Sequence, residues 1–204
     1  MVTRMSADGR PTRPRGEQRR RQILDVALRL FAERGFTNVS VAEVASEVGI
    51  TTAGLLHHFG TKNALLIAVL QEREARNQEI DQRLGSEGKD WLETFVARLA
   101  QNEEHPALMQ LFALLSAESI ADQHPAHEWF VERYRSLAEV AAREMTALLD
   151  PEKLPDGVTA TTVSQWLVGL ADGLRLQQLL NPGSVDRHES VRAFVSMLAP
   201  YRRE

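Results

Sequence analysis

The chain of 204 residues is 43% apolar and 25% charged, enough for a hydrophobic core, and it contains no cysteine. Disulfide scaffolds, thiolate zinc sites and cysteine nucleophiles are therefore excluded. No run approaches the roughly 18 apolar residues of a membrane span, and the N-terminus carries arginine and proline where a secretory signal has an apolar segment. These features predict a soluble, cytoplasmic protein with no membrane partner. The net charge of −4 hides an asymmetry: residues 1–62 hold ten Lys/Arg against six Asp/Glu, a net +4, and the remaining residues carry a net −8. A basic end on an acidic body lets that end alone approach phosphates. A solvated tail explains the asymmetry as well, because seven of the ten cations lie in residues 1–21.

Residues 1–16 are polar, rich in arginine and broken by Pro11 and Pro14, so a disordered basic arm is expected there. From Glu17 the apolar residues Ile23, Leu24, Ala27, Leu30 and Phe31 fall on one helical face. Gly35 supplies a left-handed stop, beyond which Phe36 can fold back on Phe31. Ser40-Val41-Ala42-Glu43 reads as a capping box opening a second helix with Val41, Val44, Ala45 and Val48 on its inner face. Gly49 ends it, Ile50 is expected to be buried at the corner, and Thr51 is a good N-cap for a short helix from Thr52 to about His58. Gly60 and Thr61 separate this unit from a long helix over Lys62 to about Arg83. Further helices are predicted near 88–102, 106–121, 125–149, 158–180 and 187–201, punctuated by Pro106, Pro125, the stretch from Pro151 to Gly157, and Pro182-Gly183. No strand pattern survives. The fold class is all-α with about nine helices: an arm over 1–16, a helix-turn-helix domain over 17–62, and an effector-binding and dimerisation domain over 63–204.

Two short helices joined by Val48-Gly49-Ile50-Thr51 have the length and turn of a helix-turn-helix, which places its second helix in the major groove of double-stranded DNA. That second helix is too short to stand alone, so Leu55 and Phe59 must pack it from behind, with Thr51, Thr52, Gly54, Leu56 and His57 facing outward.

The run from Ile23 to Phe36 resembles the first helix of TetR-family regulators. Ser40 to Thr51 resembles their second helix and turn, and Leu55 to Lys62 the end of their recognition helix and the start of helix four. The resemblance covers about 50 residues without a gap. It implies that Thr51 and Thr52 open the recognition helix against phosphate or a base edge, that His57 contacts the DNA backbone, and that Lys62 touches a phosphate. Many members carry lysine at the position of Thr52, serine or threonine at Gly54 and tyrosine at Leu56, so this helix offers few hydrogen-bonding side chains. Ala53 and Leu56 can read only thymine methyls. Affinity is then expected to lean on phosphates and on the arm, where Arg10, Arg13 and Arg15 could enter a minor groove; an unbound tail is the alternative. The candidate DNA-binding residues are Ser40, Thr51, Thr52, Ala53, Gly54, Leu56, His57 and Lys62.

The resemblance also implies an effector cavity in the body. Its candidate lining is Trp91, Phe95, Leu108, Met109, Phe112, Trp129, Phe130, Trp166 and Leu170, which suits a small, mostly apolar molecule; each of these residues alone is better explained as core. The stretch from Leu167 to Pro182 resembles the penultimate helix of a C-terminal domain found in regulators of the betaine pathway and many others. It is apolar on more than one side, with Gly169 and Gly173 allowing close approach. A homodimer interface is expected from Gly169, Gly173, Leu174, Leu176, Gln177, Leu180, Val191, Phe194, Val195 and Leu198, with burial inside one subunit as the alternative. His57 and His58 point about 100° apart on a helix and cannot share a metal, and His124 and His127 lack a defined third ligand. With no nucleophile-elbow, dinucleotide or phosphate-loop motif, neither an enzyme nor a cofactor is expected. The expected function is a ligand-responsive homodimeric repressor of a palindromic operator. A ligand-independent architectural DNA-binding dimer is the alternative.

Overall fold

The computed structural model describes residues 15–203, the side chain of Arg15 excepted. The expected basic arm, with Arg10 and Arg13, lies outside the described residues, apart from the first two positions of the first helix. Among the described residues there are nine α-helices, one 3-10 turn and no strand. A lone antiparallel bridge joins Leu149 to Arg202. The chain divides into two compact units between Glu72 and Arg73.

The first unit holds α1 (Arg15–Arg34), α2 (Val41–Val48), α3 (Thr52–Phe59) and the first part of α4 (Lys62–Ser86). Helix α1 starts two residues before the expected Glu17. It buries Ile23, Leu24, Ala27, Leu30 and Phe31, the face its periodicity defines. Gly35 ends it at φ 77°, a left-handed turn that costs glycine little. The Gly35 amide returns to the Phe31 carbonyl at 3.0 Å, and Phe36 packs edge-on against Phe31 at 5.4 Å between ring centroids.

Helix α2 opens on the capping box: the Glu43 amide donates to Ser40 Oγ at 3.1 Å and the Ser40 amide to the Glu43 carboxylate at 2.7 Å. Those bonds hold the Glu43 carboxyl below its ordinary pKa. Gly49, at φ 74°, returns its amide to the last turn of α2 and swings the chain into α3. Val44, Ala45 and Val48 are buried, while Val41 and Ile50 are only half-buried. Ile50 sits at the corner expected of it but is less covered than its side chain suggested.

The second unit continues from Arg73 through α5 (Trp91–Glu103), α6 (Pro106–Glu118), α7 (His127–Leu148), α8 (Ala160–Leu180) and α9 (Arg187–Met197), and ends in a 3-10 turn over Ala199–Tyr201. Each start has a local cause. Asp90 and Glu93 form a second capping box, Pro106 occupies the first turn of α6, and Thr159 and Asp186 cap α8 and α9. The α6–α7 corner is tied by His124, whose Nδ1 lies 3.0 Å from Ser119 Oγ, and by His127, whose Nδ1 lies 2.9 Å from the Ser119 carbonyl. These histidines serve the turn. The core joins α5, α7, α8 and α9 through Leu92, Phe95, Met145, Leu149, Val163, Leu167, Leu174 and Val191. Leu108, Leu111, Phe112 and Leu115 of α6 and Phe130 of α7 are also buried.

Leu55 is fully buried and its neighbour Leu56 is 37% exposed, which separates packing from surface on a single turn of α3. Leu55→Ala is expected to cost about 2–5 kcal/mol of stability and Leu56→Ala less than about 1 kcal/mol, as read by urea unfolding followed by circular dichroism. Equal losses would mean that α3 is not packed as described.

Candidate nucleic-acid interface and ligand grooves

Helix α3 has only eight residues, below the length at which a helix holds itself in water. Three features fix it. The Gly54 amide donates to the Thr51 side chain at 3.0 Å, and Leu55 and Phe59 are sealed behind it. The guanidinium of Arg20 lies 5.0 Å from the centre of the Phe59 ring. The opposite face carries Thr51, Thr52, Ala53, Leu56, His57 and His58, all exposed, with Gly54 half-covered among them.

The cap leaves the chemistry open, because Thr51 uses an oxygen lone pair for Gly54 and keeps its O–H free to donate. Ser40 is exposed and accepts its cap bond in the same way. Gly54 also has a local role: a Cβ there would stand 3.2 Å from Thr51 Oγ1 and crowd the cap. The glycine thus protects the start of the helix as well as leaving its surface low.

Lys62 is placed differently from a free surface cation. Its Nζ donates to the Thr37 carbonyl at 3.3 Å and stands 4.3 Å from the centre of the Phe36 ring. Burial lowers its pKa, partly offset by Glu43. It therefore braces the loop between α1 and α2. Arg29 and Arg34 are tied to Glu47 and Glu43 at 2.5 and 3.2 Å.

Two of the grooves in the second unit border α4. One, of about 370 Å³, is lined by Arg73, Asn77 and Ile80 of α4, Gln101 and Asn102 of α5, and Leu108 of α6, with Arg83, Glu79 and Glu104 among its charged residues. The other, of about 620 Å³, runs between α4, α5 and α7. Trp91 and Trp129 line it together with Glu74, Asp81, Arg98 and Arg133. Arg98 pairs with Asp81 and Arg133 with Glu74; burial nevertheless raises the Asp81 pKa.

Of the expected effector residues, Leu108, Trp91 and Trp129 line these grooves, and Phe95, Met109, Phe112 and Phe130 are buried behind them. Trp91 stacks on Phe95 at 5.3 Å, and Phe112 meets Trp129 and Phe130 at 5.8 and 5.7 Å. Leu108 lines the smaller groove, and Met109 lies 3.9 Å from the Arg187 guanidinium. Trp166 and Leu170 do not join them: Trp166 is 51% exposed, and Leu170 packs against the core of α5, α7, α8 and α9.

The grooves carry charged side chains as well as the apolar lining that was expected. Arg73, Arg175 and Arg187 are each more than nine-tenths buried. Arg175 meets Asp172 at 3.3 Å, and Arg187 donates to the Ala171 carbonyl at 2.8 Å. Burial pushes the Arg187 pKa down to about 10. Arg73 lies flat on Phe112, 3.5 Å from the ring centre. These arginines were assigned no role from sequence alone. Their signal was available: Leu66, Leu70, Arg73, Asn77 and Leu84 share one buried stripe of α4, so a charge interrupts an apolar period.

The expected interface residues divide as well. Leu174, Val191 and Leu198 belong to the subunit's own core, and Phe194 and Val195 pack against it. Leu174, Val191 and Leu198 are thus buried within the subunit, and Phe194 and Val195 are half-covered by it. Gly169, Gly173, Leu176, Gln177 and Leu180 are exposed and lie, with Trp166, at helical spacing along one face of α8. Nothing stands within 4 Å of a Cβ built on either glycine.

Residues 23–69 match the family profile described as bacterial regulatory proteins, tetR family, and residues 88–200 match that of the BetI-type transcriptional repressor, C-terminal. The repressor Rv1474c of Mycobacterium tuberculosis is 34% identical over 116 residues, 50% of this chain and 61% of that protein. The repressor AcnR of Corynebacterium diphtheriae is 26% identical over 85% of this chain and 87% of its own. In fold, the chain is similar to a transcriptional regulator from Saccharomonospora viridis solved with choline (TM-score 0.70, 19% identity, 92% of this chain and 100% of that one).

Lys62→Ala separates the lysine's bracing role from any phosphate contact. Loss of the Phe36 contact is expected to lower stability by about 0.5–1 kcal/mol without DNA. If Lys62 also neutralises a phosphate, the slope of log affinity against log salt falls by about one. An unchanged slope with lowered stability would leave Lys62 a structural residue only.

Proposed function

This chain belongs to the TetR family of bacterial regulatory proteins, DNA-binding transcriptional regulators that are not enzymes, and we propose that within it the protein is a ligand-responsive homodimeric repressor. The observation that carries this reading is α3, a short helix fixed from behind by Leu55 and Phe59 whose outer side chains are exposed among the described residues. Ser40, Thr51, Thr52, Ala53, Gly54, Leu56 and His57 supply the contacts, with Lys62 at the edge. Hydroxyls at helix starts suit phosphate oxygens, and Leu56 with Ala53 suits thymine methyls. Two such helices in a two-fold dimer would enter successive major grooves about 34 Å apart and read a palindrome. The protein would act in the cytoplasm, where the operator is.

Dimerisation would use the α8 face of Trp166, Gly169, Gly173, Leu176, Gln177 and Leu180. Leu176 and Leu180 are 52% and 75% exposed, and the glycines let a second helix approach closely. A continuous apolar face of this kind on a charged protein marks a site of association. The effector would occupy the grooves of the second unit, its apolar part against Trp91, Trp129 and Leu108, and would favour a dimer whose heads no longer match the operator. Such a ligand shifts the balance only by its difference in affinity for the two states.

The test is recovery of bound fragments from sheared genomic DNA by the full-length protein at physiological salt, followed by sequencing. A palindrome enriched near the protein's own gene is the expected result. Even recovery of all fragments, lost on modest addition of salt, would mean that only charge is read and would favour an architectural dimer.

Leu176→Asp puts a charge on the α8 face without touching the core. It is expected to convert the dimer to a folded monomer in sedimentation and to weaken operator binding at least tenfold. A variant that remains dimeric would move the interface elsewhere.

A further inference from the structure

Five arginines, one from each of α4, α5, α7, α8 and α9, point into the second unit, and four of them are answered. Arg98 meets Asp81, Arg133 meets Glu74, Arg175 meets Asp172, and Arg187 meets the Ala171 carbonyl. Arg73 is the exception. It is 8% exposed, its Nε and Nη1 are sealed from solvent with no hydrogen-bond partner, and no carboxylate among the described residues forms an ion pair with it. The face of Phe112 supports it, and Glu74 offsets its charge without forming an ion pair with it.

Burying a guanidinium without a counter-ion is costly, and the arginines around it raise that cost. Burial lowers the Arg73 pKa well below its ordinary value, with Arg133, Arg175 and Arg98 adding to the fall. The side chain nevertheless keeps its proton near neutral pH, so the cost is carried as charge. Arg73 also lines the cleft of about 370 Å³, beside Asn77, Ile80 and Leu108. An unanswered cation at the wall of an open cleft is half of an ion pair.

We infer that this cleft binds a small molecule with a carboxylate headgroup, which supplies the missing counter-ion to Arg73 while its apolar part lies along Ile80 and Leu108. Because Nε and Nη1 are sealed, the headgroup engages Arg73 by drawing the side chain off Phe112, after which the guanidinium fork matches two carboxylate oxygens, and the Asn77 amide can add a further donor. Arg76 and Arg83 line the cleft beside Glu79 and Glu104, so its remaining charges balance, and the apolar wall of Ile80 and Leu108 favours one headgroup on an apolar body. This deepens the reading of the grooves as the effector site and rests on it.

The probes are octanoate, octanol and octylamine, one chain with three headgroups, added to the full-length protein at neutral pH and constant ionic strength and chloride. Thermal unfolding is the readout. Octanoate at a hundredfold excess over its Kd favours the folded form about a hundredfold, a rise in Tm of about 5–10 °C. Octanol and octylamine are expected to give less than a third of that rise. Arg73→Met should remove the octanoate response and Arg73→Lys should keep part of it.

Equal shifts with octanoate and octanol, a larger shift with octylamine, or no shift with any probe would overturn the carboxylate site in the wild-type protein alone, whether or not the variants fold. An octanoate shift that vanishes in Arg73→Met but leaves operator binding unchanged would support the site and count against repressor release. Failure of the site and failure of the repressor reading are thus distinguishable.

Discussion

Helix α3 is too short to exist by itself, and the rest of the first unit is arranged around that fact. Eight residues form too few intrahelical bonds to offset the entropy of ordering them. The helix persists because Thr51 ties down its first turn and Leu55 and Phe59 are driven into apolar surroundings. Those surroundings exist because α1 and α2 are fixed by their own caps and glycine stops. Since stability comes entirely from one side, the other side is released from any structural duty. A surface with no structural duty is free to be selected for the sequence it reads.

The fold was legible because its signals are local. Caps, glycines and apolar periods placed the nine helices of the described residues to within a few positions, and the stop at Gly35 with Phe36 folded on Phe31 came from chain chemistry alone. What escaped was non-local. Periodicity says that one face of a helix is inward, but not how much of an amphipathic helix its neighbours cover. Leu174, Val191 and Leu198 are therefore core, whereas Trp166 and Leu176, equally apolar in the sequence, face outward. Lys62 makes the same point for a polar residue: its tie to Thr37 and Phe36 spans 25 residues and leaves no trace in local pattern.

The buried arginines were hidden by a sound general rule, that charges face water. The rule fails where a charge can find its partner inside, and α4, α5, α7, α8 and α9 bring such partners together only when the helices pack. Arg98 and Arg133 could not be paired with Asp81 and Glu74 from spacing, since each pair joins different helices. Beside its apolar core the second unit therefore carries ion pairs and aromatic faces, with Arg73 and Arg133 both set over Phe112.

That kind of interior has a consequence for switching. An apolar core has one good packing and resists rearrangement, because any shift opens voids. A core built on paired charges has a second option, since a guanidinium can exchange one partner for another at modest cost if an acceptor arrives. Arg73 and Glu74 are successive residues of α4, one lining each groove, and Arg133 already holds Glu74 from α7. A ligand that engaged either residue would act on the same turn of α4. Because the side chains of successive residues point about 100° apart, a pull on one tends to rotate the helix and so disturbs the other. The ion pair between Arg133 and Glu74 would then report on occupancy of a groove it does not line.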